Sequence, residues 1–293
     1  MKKLNVLAWV CALVMGLSLT SCLSSGDSGY GYEDLRTVYV RNYLGSLFFE
    51  DVVGNKFYPS TSSLAAFRQN DPDFDLSDYY MLIIYYNYVE DETEGSSTKA
   101  DKNPAYTPQS YNIDLMAYQV IEDLKMTVVE TSAEVEALQT APVIPMEQYL
   151  STGIIGPEQF DETNIVAYTG FYMANDADKL KEHTFQYAYV RSEITADSKD
   201  LVLYVCHNRN SDDKLEAHWS TYCSFNVSSA VAYFKSVTGN LPENVILKAK
   251  TSASATLNMP DEYSEYEVEY KTMKELYPDW VTDEDDDNVD ATE

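Results

Sequence analysis

Positive charge is what this chain lacks most. Its 293 residues hold 20 lysines and arginines against 48 aspartates and glutamates, and the formal charge is −28. A surface this acidic repels phosphate backbones and anionic headgroups, which excludes nucleic acid as a partner. The same charge favours a soluble monomer. Histidine is nearly missing as well. His183, His207 and His218 are the three present, and none stands in an H-x-x-x-H or H-E-x-x-H pattern, so no metal site is expected. Glycine is sparse, at 11 residues, and no G-x-S-x-G, phosphate loop or dinucleotide-binding glycine pattern occurs. The sequence therefore assigns no catalytic residue and no cofactor, and a non-enzymatic role is expected.

Long apolar runs are also absent, except at the start. Met1-Lys2-Lys3 is a basic end, Leu4 to Leu19 is almost unbroken apolar sequence, and Leu19-Thr20-Ser21-Cys22 follows. A spanning helix needs about 20 residues. Polar Ser24-Ser25-Gly26 after the run lacks a basic stop-transfer flank. The layout is that of a bacterial lipoprotein signal, in which the Cys22 thiol is acylated and the chain is cut before it. Removing residues 1–21 takes away two lysines and moves the charge from −28 to −30. Two or more acyl chains, at about 0.8 kcal/mol per buried CH₂, hold such a chain durably. The expected location is the outer membrane, lipid-anchored, with the leaflet undecided between periplasmic face and cell surface.

Cysteine is scarce, with four residues. Cys11 leaves with the signal and Cys22 carries lipid, so Cys206 and Cys223 remain. Export permits a disulfide between them. The other reading is two small buried thiols.

The chain is instead rich in tyrosine, with 25, and β-branched residues are frequent. Long helical periodicity is absent. These features indicate an all-β protein. Thr37 to Leu44 reads as a first strand, and Gly54-Asn55 supplies a tight turn before Phe57-Tyr58-Pro59. Ser62 to Phe67 could form one helical turn. Tyr79 to Val89 is apolar or aromatic in both phases, as in a strand closing a small barrel. Tyr79, Tyr80, Tyr85, Tyr86 and Tyr88 are expected to pack that barrel. Exposed, the same rings would suit a sugar or a peptide. Asp71-Pro-Asp73-Phe-Asp75 has the start of a calcium loop, but Leu76 stands at the obligatory glycine and Leu82 at the final acidic position, so a solvated loop is expected. Lys125 to Val129 reads as the last strand of the first domain. Beyond Pro142 and Pro145, strands recur at Asn164–Tyr172, Thr184–Val190, Leu201–His207, Trp219–Val227, Asn244–Lys250 and Tyr266–Tyr270, the spacing of a β-sandwich.

Four segments, taken in order, resemble a known family. They are Gly54-Asn-Lys-Phe-Tyr-Pro-Ser60, Tyr79 to Tyr88, Asp114-Leu-Met-Ala-Tyr118, and Leu201-Val-Leu-Tyr-Val-Cys-His-Asn-Arg-Asn-Ser-Asp212. The chain is similar in them to the NigD-like lipoproteins of Bacteroidales. Two departures are the acidic loop Asp71 to Asp78 and an apparent insertion from Asp91 to Pro108. The resemblance implies a lipobox, a small N-terminal OB-like barrel and a C-terminal β-sandwich, with a link to bacteriocin operons and no reaction. Residues 1–21 are then a signal peptide, 22–33 a tether, 34–139 the barrel, 140–160 a linker, 161–275 the sandwich and 276–293 a disordered acidic tail. The function expected is a binding or protective envelope module whose ligand is an envelope protein, a peptide or a glycan. The rival is a structural, fimbria-type surface subunit.

Overall fold

The computed structural model describes residues 32–72, 74–89, 108–150 and 153–278. Cys22, the signal, nearly all of the tether, the segment 90–107 and the acidic run 279–293 lie outside the described residues. The chain divides into two compact units, and the division falls between Ile121 and Glu122. Residues 271–278 group with the first unit.

The first unit is a closed five-stranded barrel. Its strands are β1 (Asp34–Tyr43), β2 (Ser46–Glu50), β3 (Lys56–Pro59), β4 (Met81–Tyr88) and β5 (Ser110–Asp123). Antiparallel pairs run β3-β2-β1-β4-β5, and a parallel β3–β5 pairing closes the ring. This is the OB arrangement the resemblance implies. Alternation sends Val38, Phe49, Phe57, Leu82, Ile84, Ile113 and Leu115 inward, each 2% exposed or less. Helix α1 (Thr61–Asn70) follows β3, a full ten residues where the sequence indicated a single turn. The Ser60 hydroxyl caps it by accepting from the Ser63 N–H at 3.1 Å. Leu64 and Phe67 of α1 pack on the barrel core, where Phe67 stacks on Phe74 with centroids 5.2 Å apart. Leu76, at the position where a calcium loop needs glycine, is a core side chain 1% exposed.

The second unit is a sandwich. One sheet runs β15-β14-β12-β11-β6, from β6 (Lys125–Val129), β11 (Thr184–Val190), β12 (Asp200–Asn208), β14 (Asn244–Ala249) and β15 (Ser264–Glu269). Facing it is the pair β10 (Asn164–Met173) and β13 (Ala217–Asn226), with short β9 (Glu158–Gln159) beside β10. Strands β7 (Gln148–Leu150) and β8 (Gly153–Ile155) form a separate hairpin. Odd-numbered residues of β12, Leu201, Leu203 and Val205, meet Ile165, Ala167, Cys223 and Phe225 in one core. Even-numbered Tyr204 and Cys206 face a second, smaller core with Val129, Ala188 and Val135 of helix α2 (Ser132–Leu138). Helix α3 (Ala177–Leu180) precedes β11, and α5 (Met273–Leu276) follows β15. Helix α4 (Ser228–Thr238) makes the crossover that parallel β12 and β14 require.

Two sequence expectations need correcting. Lys125–Val129 is not a barrel strand. It pairs in parallel with β11, from Gln186↔Lys125 to Val190↔Val129, so the sandwich starts well before residue 161. The prolines and glycines of 140–160 mark loops and a hairpin inside the second unit, and the passage between units occurs along one long strand that carries no turn signal. Helix α4 also went unread. Its buried stripe is only Ala230, Val231 and Phe234, and its clearest mark is its stop, Gly239 at φ 78°.

Gly170 is the tightest point of the sandwich. In the β10–β13 ladder it lies opposite Ser220, and a Cβ there would sit 2.0 Å from the Trp219 carbonyl oxygen and 2.6 Å from the Ser220 Cα. Both atoms are backbone and cannot swing aside. Gly170→Ala is expected to cost about 3 kcal/mol in urea unfolding. Gly156→Ala, where the nearest atom is the Glu147 Cγ at 3.7 Å, should stay within about 0.5 kcal/mol.

Candidate functional site

Three places in the fold concentrate chemistry. The first is the outer face of β1, β2 and β3. Side chains of opposite phase to the core point outward, and the register sets Tyr39 across from Glu50, Arg41 across from Phe48, and Glu50 across from Lys56. Arg41 Nε donates to Glu50 Oε2 at 2.9 Å while its guanidinium lies 4.6 Å from the Tyr39 ring centre. Tyr39 packs on Tyr80 at 5.3 Å, Phe48 on Tyr58 at 5.6 Å, and Lys56 Nζ is 5.5 Å from the Phe48 ring centre. Two cations and four aromatic rings thus share one side of a strongly acidic protein, the composition of interface hot spots.

The second place is the end of the barrel where β1 begins. Asp34 and Arg36 share the inward phase of Val38. Arg36 Nη2 lies 3.5 Å from Asp34 Oδ2, and the Tyr86 hydroxyl donates to the same carboxylate at 3.1 Å. The Tyr86 and Tyr88 hydroxyls are 3.2 Å apart, and Tyr88 meets Tyr111 edge-on at 5.5 Å. Burial, the Tyr88 hydroxyl and the Asp34 charge all push the Tyr86 phenol far above its ordinary pKa, so it stays a donor. Of the five tyrosines expected in the core, Tyr86 alone is wholly buried; Tyr80 and Tyr88 are 38% and 39% exposed. The packing expectation holds for Tyr86, whereas Tyr80 and Tyr88 keep part of their rings in solvent.

The third place is buried in the second unit. The inward row of β12 continues past Val205 to His207, 1% exposed. His183, just before β11, reaches it across the hairpin, with Nδ1 2.8 Å from His207 Nε2. His183 Nε2 lies 3.0 Å from Asp212 Oδ2, and their side chains are 1% and 2% exposed. His207 Nδ1 lies 3.3 Å from the Pro142 carbonyl oxygen. Phe171 stacks on both imidazoles, at 4.6 and 4.1 Å. With His207 donating through Nδ1 to the Pro142 carbonyl, its Nε2 is left to accept from His183, whose other ring nitrogen faces Asp212. Zinc-bound nitrogens would stand about 3.3 Å apart, so the 2.8 Å spacing is that of a hydrogen bond.

Burial, then the neighbouring His183, pushes the His207 pKa down to about 3, with Arg209 adding to this and the Pro142 carbonyl and Asp212 opposing it. For Asp212, burial favours the neutral acid, but the Ala174 and Lys214 N–H groups and His183 outweigh it and hold the carboxyl below its usual range. The sequence did not reveal this cluster, because its members are joined only by the register that pairs Thr184 with Asn208. Cys206 and Cys223, the candidate disulfide, are free buried thiols facing the two different cores of the sandwich. Alternation along β12 explains this, since Cys206 points away from the core that holds Cys223. Burial raises both thiol pKa values, that of Cys206 to about 12.

No family model matches the chain, and no curated protein matches it. Solved structures do. A candidate lipoprotein from Bacteroides fragilis NCTC 9343 is 20% identical, with 81% of this chain and 97% of that chain covered and a TM-score of 0.61. A NigD-like immunity protein from Bacteroides caccae ATCC 43185 is 12% identical, with 80% and 91% covered and a TM-score of 0.46. A candidate toxin-related protein from Parabacteroides distasonis ATCC 8503 is 12% identical, with 85% and 98% covered and a TM-score of 0.48. The first shares the two-unit fold of this chain.

The buried cluster gives stability a pH dependence of definite sign. Unfolded histidine protonates below about pH 6.5, whereas folded His207 stays neutral to about pH 3, so the unfolded state binds the extra proton and stability falls with acid. The loss from His207 should reach about 3 kcal/mol at pH 4. Asp212 adds to it only below about pH 4, where unfolded carboxylates protonate. Urea unfolding from pH 7.5 to 4 tests this. His207→Gln, which keeps an acceptor for His183, should flatten the slope between pH 6.5 and 4 by close to one proton.

Proposed function

We propose that the chain is a NigD-like, lipid-anchored envelope protein that acts without catalysis, as a binding or protective module. The observation that carries this is a pairing: the Leu19-Thr20-Ser21-Cys22 box stands ahead of a fold shared with a candidate lipoprotein over 97% of that chain. Acylation of Cys22 would leave residues 23–33 as a tether before the barrel. The outer membrane is the proposed site. The barrel then offers the contact surface. Its outer face of Arg41, Phe48, Lys56, Tyr58 and Tyr80 has the mix of rings and cations that recognition surfaces use. The second unit is the support, locked by the His183–Asp212 pair and by two buried cores.

Metabolic labelling with a fatty acid, followed by fractionation, tests the anchor. The native chain is expected to take up label and sediment with membranes. Cys22→Ala should lose at least nine-tenths of both signals while its urea unfolding midpoint stays unchanged. Full membrane association of an unlabelled Cys22→Ala chain would sink the proposal.

A further inference from the structure

The tip of the β1–β2 hairpin is built against its own stability. The closing pair is Tyr43 with Ser46, and the two-residue loop is Leu44-Gly45 with φ of 52° and 83°. Positive φ at both positions defines the turn that matches strand twist, and its favoured sequences are Asn-Gly and Asp-Gly. Gly45 suits it. Leu44 does not, because an L side chain at that φ crowds its own carbonyl. Packing offers nothing in return, since Leu44 is 90% exposed and Tyr43 70%. Two large apolar side chains therefore stand in water on a turn that prefers asparagine. Backbone strain combined with exposed apolar area points to a contact made with another molecule.

The tip also continues a patch. Tyr43 lies two residues from Arg41 on the same face, Arg41 is across from Phe48, and Phe48 packs on Tyr58. We propose that Tyr43 and Leu44 form a knob that docks into an apolar pocket of a folded protein partner, with Arg41 and Lys56 meeting acidic groups on its rim. The chemistry selects this occupant. Leu44 has no hydrogen-bonding group for a glycan, and a projecting turn fits a concavity. A bilayer is disfavoured by position. On the reading above, the lipid sits on Cys22 and the tether of residues 22–33 joins β1 at its Asp34 end, whereas the tip lies nine residue steps away, about 30 Å along the strand. This inference rests on the chain being a lipid-anchored binding module.

The test uses the full chain in its native cells, with the photo-crosslinking residue p-benzoylphenylalanine replacing Tyr43. One discrete heteroprotein adduct is expected on illumination. Leu44→Asn in the same chain should reduce it at least tenfold, while raising the unfolding midpoint of the purified protein by roughly 2–4 °C because strain is relieved. The same residue placed at Leu241, 38% exposed in the second unit, should give no adduct of that size. An adduct to lipid, an adduct to a second copy of the chain, an adduct indifferent to Leu44→Asn, or none at all overturns the docking proposal. Fractionation of the same cells reads the anchor separately. A membrane-bound chain without the Leu44-dependent adduct refutes docking alone, and a chain absent from membranes refutes the anchoring reading whatever the adduct shows.

Discussion

The parallel pairing of β3 with β5 is the constraint on which the first unit depends. Lys56 to Pro59 runs beside Ser110 to Ile113, and the Lys56 and Ser60 N–H groups donate to Gln109 and Ile113 carbonyls at 2.8 Å. Without that ladder the strands would form an open sheet with two free edges, a template for unwanted pairing. With it the sheet has an inside. Ser60 sits at the seam and serves both parts, since its hydroxyl bonds Asp114 of β5 and caps α1. The helix then starts where closure ends, and Phe67 covers the core beneath it. Closure also divides the tyrosines. Tyr86 is trapped inside, while Tyr58 and Tyr80 are left on the outer wall.

The fold class was legible because alternation survives in the strands. Val38 and Val40, Leu82 and Ile84, Leu201, Leu203 and Val205 each mark a face. The seam was not legible. Nothing in Lys56-Phe-Tyr-Pro59 says that its partner is some fifty residues further on, and that choice decides between sheet and barrel. The boundary between units misled for a related reason. Pro142, Pro145, Gly153 and Gly156 advertise a linker, yet the division falls at Ile121, inside an uninterrupted strand. The site was legible in type only. Tyrosine abundance indicated aromatic surfaces, but which rings stay outside follows from strand phase and from the β4–β5 irregularity between Tyr85 and Tyr86.

Charge and aromatic content act together on the first unit. A chain this acidic has few cations to place, and Arg41 and Lys56 both lie against rings of the outer wall. Each cation is thereby held over apolar area that would otherwise face water. The exposed Arg41–Glu50 pair adds little stability by itself, as surface pairs at this exposure are worth roughly 0–1 kcal/mol. Its larger effect is on shape, because it fixes the guanidinium above Tyr39.

The second unit places a buried polar cluster where leucine would be the simpler choice. Apolar replacement of such buried pairs is often neutral or stabilising, so the His183–Asp212 contact is not explained by stability. What it supplies is connection. Pro142 comes from the loop after α2, Ala174 from the end of β10, His183 from the start of β11 and Asp212 from the turn after β12. Four segments distant in sequence are tied through directional bonds that apolar side chains could not provide. Phe171 seals the assembly by stacking on both imidazoles, and Gly170 beside it lets β10 and β13 approach closely enough for that seal. The bonds of the cluster are directional, so its effect is to select one packing of the loops at that end of the sandwich over the alternatives an apolar plug would tolerate.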